Sequence, residues 1–450
     1  MNKRIKFLIS VTLIFAIFVS SFILPASSFE NEIEVSTDKL LLVNIDTNTE
    51  VYSKDADTKW YAGYLSELMT FITAYEMIDD LDHTTVKLDK DYLSKLPSLD
   101  GCLNLFLGKE LSAKELMGIM LITSGNDAAN ALADLATGGD RDAFVDEMNS
   151  RAKRYGMNDT NFVSPAYSDS DQHVITCRDL YRLYMRALRI DLYMEIMGKK
   201  SYIPESLYVE GDIENNERYT LYPEASILNI NSPYYFKYVD SAKLSVTDAA
   251  KQGVGMTSLY HGKRYFFAAL NGLNESEKNV YADARKLISW AYLHLTDRKL
   301  ISADQKVSDV KIKTGWGEYT IALYPSGSVV KTLPKDFEEY KLEYKENIPE
   351  ELSTPLRIGE TAGSIGITYD DEKVGTVRLS SKTEEGLSMM PDFGRFCTYV
   401  FSRLTPFVPE GSVEANSDVL KPEATLATQP PTEPPTEAPT QPVNDGITGG

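Results

Sequence analysis

The stretch Tyr61-Ala62-Gly63-Tyr64-Leu65-Ser66-Glu67-Leu68-Met69-Thr70 sets the reading of this chain. A small Ala62-Gly63 turn leads into residues 64–79, a run so dense in Leu, Met, Phe, Ile and Ala that it is apolar almost all round. That pattern predicts a helix buried in a core rather than an amphipathic surface helix. Upstream, Leu40–Ile45 and Glu50–Ser53 read as strands joined by the Asp46-Thr47-Asn48-Thr49 turn, a hairpin. Downstream, Leu111 to Leu135 holds two helical stretches separated by the polar break Thr123-Ser124-Gly125-Asn126. Thr176 to Met197 reads as one helix, basic on one face, Lys243–Thr247 and Arg264–Leu270 as strands, and Ala282–Leu295 as an amphipathic helix. Strands at both ends around a helical middle predict an α/β domain, residues 29–300, with a helical lobe.

From residue 305 to 390 the texture changes to short strands separated by turn residues, Val310–Lys313, Tyr319–Tyr324, Val329-Val330, Tyr340–Tyr344, Ile365–Tyr369 and Val374–Leu379. This predicts a small all-β domain of sandwich type. Phe393, Phe396, Cys397, Val400, Phe401 and Leu404 then fall on one helical face within residues 391–407. That helix either docks on the β-domain or lies in a membrane interface. Residues 408–450 are rich in Pro, Thr, Glu and Ala, a composition that buries no core and predicts an extended tether.

At the other end Lys3, Arg4 and Lys6 precede an apolar run, Phe7 to Leu24, and Ala26-Ser27-Ser28 offers small residues for cleavage. Residues 1–28 are therefore expected to be a secretory signal, which places the folded part outside the cytoplasm, secreted and associated with the cell envelope. The formal net charge of −20 excludes an electrostatic reason to bind nucleic acid. Cys102, Cys177 and Cys397 are too few and too scattered for a disulfide framework or a metal site, and read as buried small hydrophobes with at least one free thiol. No metal or cofactor is expected.

Three segments carry chemistry. The first is the opening stretch. The second is Met120-Leu121-Ile122-Thr123-Ser124-Gly125-Asn126-Asp127-Ala128-Ala129, and the third Val239-Asp240-Ser241-Ala242-Lys243-Leu244-Ser245-Val246-Thr247-Asp248, preceded by Asn229-Ile230-Asn231. In this order they resemble the low-molecular-weight penicillin-binding proteins, the D-alanyl-D-alanine carboxypeptidases, across roughly residues 36–300. The resemblance implies a penicillin-binding, β-lactamase-like fold, an antiparallel sheet with flanking helices and a helical lobe. It also implies serine acyl transfer on peptidoglycan stem peptides. In that family a Ser-x-x-Lys nucleophile segment is followed by Ser-x-Asn, which relays protons and holds the substrate, and by Lys-Thr-Gly, whose lysine binds the substrate carboxylate.

The departures fall on the reacting atoms. Tyr64 stands where the serine belongs and Glu67 where the lysine belongs. Ser124 and Asn126 are kept, as is Lys243. Leu244 replaces a carboxylate-binding threonine, and Ser245 adds bulk at a glycine position. A phenol with an ordinary pKa near 10, displaced by a ring from the serine oxygen, is a poor nucleophile. Glu67 is an anion where an amine base is needed, and a pairing with Lys243 would fill the cleft. Ser66 is the nearest alternative hydroxyl, two residues on and nearly on the opposite helix face. Lys313-Thr314-Gly315 lies in the β-domain, and Ser150-Arg151-Ala152-Lys153 follows Ser124 in the chain and reads as a solvated helix face.

These readings predict a catalytically dead relative that binds stem peptides or envelope proteins, with residues 393–404 either docked on the β-domain or in contact with a membrane surface. The alternatives are an active serine peptidase with a rearranged site built on Ser66 or Ser124, and a purely structural wall protein.

Overall fold

A computed structural model describes residues 33–382, apart from 274, 276–278, 315–316 and 353–357. The expected signal, the 391–407 helix, Cys397 and the Pro-rich tail lie outside the described residues. A five-stranded antiparallel sheet forms the centre of the first domain. Its strands are β1 (Lys39–Asn44), β2 (Thr49–Lys54), β3 (Val239–Thr247), β4 (Lys251–Tyr260) and β5 (Lys263–Gly272), in the order β2-β1-β5-β4-β3. Among the described residues β3 is thus an edge strand, paired only with β4.

Alternation along the strands feeds two cores. Leu41 and Val43 of β1, with Phe266, Ala268 and Leu270 of β5, face the helical lobe. Leu40, Leu42, Phe267 and Ala269 face the opposite side, where Val280, Ala284, Leu287 and Ile288 of helix Val280–His294 pack. The lobe holds α1 (Glu67–Met77), α2 (Ala113–Thr123), α3 (Asn126–Thr137), α4 (Arg141–Arg154) and α5 (Cys177–Ala187). α1 buries every residue from Glu67 to Ala74, as its composition predicts. α2 starts on a capping box in which Ser112 Oγ accepts from Glu115 N and Glu115 Oε2 accepts from Ser112 N.

Three local expectations are corrected. β4 was not foreseen, because Gly253 and Gly255 interrupt its pattern. Gly255 is required, since a Cβ there would sit 2.4 Å from the ring of Tyr184, whose hydroxyl donates to Gly255 O. The helix over 176–197 is two pieces, Cys177–Ala187 and Asp191–Met197, broken at Arg189-Ile190. The Ser150–Lys153 segment is not wholly solvated: Arg151 is 5% exposed and ion-paired with Glu76 and Glu147, and Ala152 is buried. Cys177 is buried, but Cys102 is partly exposed, and both are free thiols.

The second domain is all β. Strands β6 (Leu295–Ile301) and β9 (Val329–Pro334) pair with each other, while β7 (Ser308–Thr314), β8 (Gly317–Pro325), β10 (Leu342–Asn347), β11 (Glu351–Leu352), β12 (Thr361–Tyr369) and β13 (Glu372–Ser380) form a six-stranded sheet, order β10-β12-β13-β8-β7-β11. Val310, Ile312, Ile321, Leu323, Ile367 and Leu379 fill its core. Lys313-Thr314 ends β7 there, far along the chain from the β3 edge. The β1–β2 turn is fastened to this domain by Asn44 Nδ2, which donates to Thr332 Oγ1 at 2.8 Å and Asp297 Oδ1 at 3.0 Å.

Candidate functional site

The three segments converge where α1, the α2–α3 junction and β3 meet. Tyr64 lies in a 3-10 turn, Gly63–Ser66, that opens α1. Gly63 has φ +51, and a Cβ there would fall 2.2 Å from Ser245 Oγ, so only glycine lets the turn approach the strand this closely. Ser124 occupies the α2–α3 junction in the left-handed region, φ 53 and ψ 40. Lys243 sits mid-strand on β3 and is 2% exposed.

Lys243 Nζ lies 2.6 Å from Glu67 Oε2. It also donates to Met120 O at 2.8 Å, Ser124 Oγ at 2.9 Å and Leu121 O at 3.4 Å. The ammonium is therefore fully engaged inside the chain. Glu67 is wholly buried, and neither of its oxygens accepts a well-angled hydrogen bond. Burial pushes its pKa up, and the charge of Lys243 is what opposes the rise.

Glu224 completes the cluster, and no local motif flags it. Its backbone N–H donates to Ile122 O at 3.2 Å, at the end of α2, and its Oε2 accepts from Ser124 Oγ at 2.8 Å. Much of the residue faces solvent, yet its carboxyl end turns inward, and desolvation there raises its pKa. The spatial signal for it was the ammonium of Lys243, which draws a second acid.

The remaining candidates are equally occupied. Tyr64 N–H donates to Ser245 Oγ at 3.0 Å, so the backbone donor at the nucleophile position, suited to an oxyanion, is taken by a side chain that glycine would lack. The Tyr64 ring lies against Tyr167, centroids 4.7 Å apart and 31° tilted. Burial, then Glu67, pushes the Tyr64 phenol up to about 12, so it stays protonated at neutral pH. Asn126 Nδ2 donates to Asp100 O at 2.6 Å, and its Oδ1 accepts from Tyr167 N at 3.2 Å, so each end of the amide already holds a partner within the chain. Gly101, φ +69, lets the 98–104 loop close over Tyr64 and Asn126: a Cβ there would lie 2.8 Å from Tyr64 Oη and 2.5 Å from Asn126 Nδ2. Leu244 is partly buried and offers no hydrogen bond. Ser66 is buried, and its hydroxyl donates to Gly63 O at 2.9 Å. Asn229-Ile230-Asn231 is an exposed turn.

Residues 26–274 match the D-alanyl-D-alanine carboxypeptidase model of the S11 peptidases. The chain belongs to the D-alanyl-D-alanine carboxypeptidase family. Residues 296–386 match the Penicillin-binding protein 5 C-terminal domain, which is the all-β domain described above. The chain is 24% identical over 351 residues to D-alanyl-D-alanine carboxypeptidase DacF of Bacillus subtilis, covering 76% of this chain and 84% of that protein. It is 28% identical over 268 residues to the D-alanyl-D-alanine endopeptidase of Escherichia coli, covering 59% and 80%. Penicillin-binding protein 5 from Haemophilus influenzae superposes with a TM-score of 0.62 at 18% identity, over 78% of this chain and 98% of that one, which speaks for the fold. Within this carboxypeptidase fold, Glu67 and Ser124 both engage Lys243, Ser124 also engages Glu224, and Tyr64 N–H is bound separately to Ser245.

Proposed function

We propose that this protein is an exported, non-catalytic member of the carboxypeptidase family that binds peptidoglycan or scaffolds other proteins at the cell envelope. The observation that carries the reading is the Glu67–Lys243 pair. The amine that would activate a nucleophile is replaced by an acid, and that acid ties up the lysine expected to receive a substrate carboxylate. Tyr64 supports the same reading, as its phenol is protonated and its N–H is already used. The leader-like residues 1–28 support export.

Ser124 carries a second reading. Its hydroxyl donates to the Glu224 carboxylate and accepts from Lys243, the arrangement of a hydroxyl between a base and a stabilising cation. Intact-mass spectrometry of the full chain after incubation with penicillin, beside a Tyr64→Ser, Glu67→Lys double variant, tests both. An unmodified wild type and an acylated double variant are expected. An adduct on the wild type, mapped to Ser124, would replace the non-catalytic reading with a rebuilt peptidase.

A further inference from the structure

Around Lys243 the charges do not balance. Two carboxylates, Glu67 and Glu224, converge on one ammonium that four oxygens already engage. Glu67 is wholly buried, and its Oε1 has no donor. A buried carboxylate oxygen without a donor is rare in folded proteins and marks a place that a further donor would stabilise. The site is one donor short.

Outward from Glu67 stands the Tyr64–Tyr167 ring pair. Tyr64 is half-buried, and its hydroxyl makes no hydrogen bond among the described residues, so ring contact and packing are what hold it in place. Exposed carboxylates flank the pair. Asp169 is fixed by Thr247 Oγ1 at 2.7 Å, and Asp100 and Asp248 lie near the Tyr167 phenol, which is pushed up first by burial and then by the charges of Asp169, Asp100 and Asp248. None of Asp100, Asp169, Asp248 or Glu224 is ion-paired among the described residues. Acids beside aromatic faces form the chemistry that recognises a cation. The carboxylate-binding elements, by contrast, are spent or absent: Lys243 is enclosed, and Leu244 has no hydroxyl.

We propose that this cleft mouth takes a primary ammonium group on an alkyl stem, the ammonium donating to Glu67 Oε1 and Glu224 and the stem lying against Tyr64 and Tyr167. The inference rests on the peptidoglycan-binding reading and names its ligand chemistry: the amine of a stem peptide rather than its terminal carboxylate. Entry requires the Tyr64 ring to turn aside. The polarity of recognition is thereby reversed relative to a site built to hold a carboxylate.

The test is calorimetric titration of the full chain with three short peptides ending Lys-D-Ala-D-Ala: one with a free side-chain amine, one with that amine acetylated, and one with a free amine and an amidated C-terminus. The free-amine peptide is expected to bind about tenfold more tightly than the acetylated one, the effect of one charge-assisted hydrogen bond. Amidation should change affinity by less than about twofold. Glu224→Gln, which keeps the side-chain size and an oxygen to accept from Ser124, and Glu67→Gln should each erase most of the amine preference, with the fold of each variant checked by its thermal melt. Equal binding of the free and acetylated peptides, or loss of binding on amidation, overturns the inference and leaves the peptidoglycan reading standing. If no peptide binds, co-sedimentation with insoluble peptidoglycan separates the cases: retention overturns only the ammonium site, and its absence overturns both.

Discussion

Glu67 Oε2 lies 2.6 Å from Lys243 Nζ, and both side chains are withdrawn from solvent, 0% and 2% exposed. Each ion is tolerable there because of the other. Removing one partner of such a pair typically costs about 3–5 kcal/mol, whereas replacing both by apolar groups is close to neutral. Glu67→Ala and Lys243→Ala should each destabilise the chain by about that amount. A Glu67→Leu, Lys243→Met double variant should recover most of the loss, as read by urea unfolding.

The pair also sets a pH dependence. The folded-state pKa of Glu67 is raised above its ordinary 4.5, so the folded chain holds this proton more tightly than the unfolded one. Its contribution to stability is therefore greatest below 4.5 and declines as pH rises from there through the raised value. The difference in unfolding free energy between wild type and Glu67→Gln, measured from pH 4 to 8, should shift in favour of the variant as pH rises.

His173 acts in the opposite sense. It is buried behind the nucleophile turn, where its carbonyl accepts from Ala62 N at 2.9 Å and its Nδ1 from Val163 N at 3.2 Å. Burial lowers its pKa from 6.5 to about 4. The unfolded chain binds this proton first, so stability of about 3 kcal/mol present above pH 6.5 is lost as pH falls through 4. Hydrogen exchange at pH 5 should show early loss of protection at Ala62 and Val163, and a His173→Gln variant should lose this acid sensitivity.

Gly63 and Ser245 form a suppressor pair. Gly63→Ala adds a Cβ 2.2 Å from Ser245 Oγ and holds alanine at φ +51. The expected destabilisation is about 2–3 kcal/mol, of which about 1 kcal/mol is backbone strain. Ser245→Gly should restore the steric part and leave the strain, a partial rescue visible in thermal melts of the single and double variants.

Adding Leu244→Thr and Ser245→Gly to the Tyr64→Ser, Glu67→Lys variant should raise its rate of acylation by penicillin by about 10-fold or more, because Tyr64 N–H is a donor of the kind whose loss from an oxyanion site is costly. Equal rates for the double and quadruple variants would show that the 244–245 positions play no part in excluding acylation.

The sheet, the buried α1 and the α2–α3 break were legible because periodicity, turn residues and the family-like segments agreed. β4 was not, since Gly255 answers to Tyr184 and Gly253 to Leu65 and Leu270, residues distant in the chain, rather than to a local strand preference. In the site, Tyr64, Glu67 and Lys243 stood out by their position in a known pattern. Glu224 did not, because its role depends on a backbone bond to Ile122 and a side-chain bond to Ser124, and neither leaves a trace in local sequence. The closing of Asn126 by Asp100 and Tyr167 is likewise a property of loops brought together only by folding.

The mutual dependence of Glu67 and Lys243 also bears on how this lineage can change. Glu67→Lys alone would set two ammoniums face to face in a sealed interior, and loss of Lys243 alone would strand Glu67. Each of these single changes therefore costs stability before the partner position changes. On the proposed non-catalytic reading, the Glu67–Lys243 pair acts as an evolutionary ratchet, because several positions would have to change together.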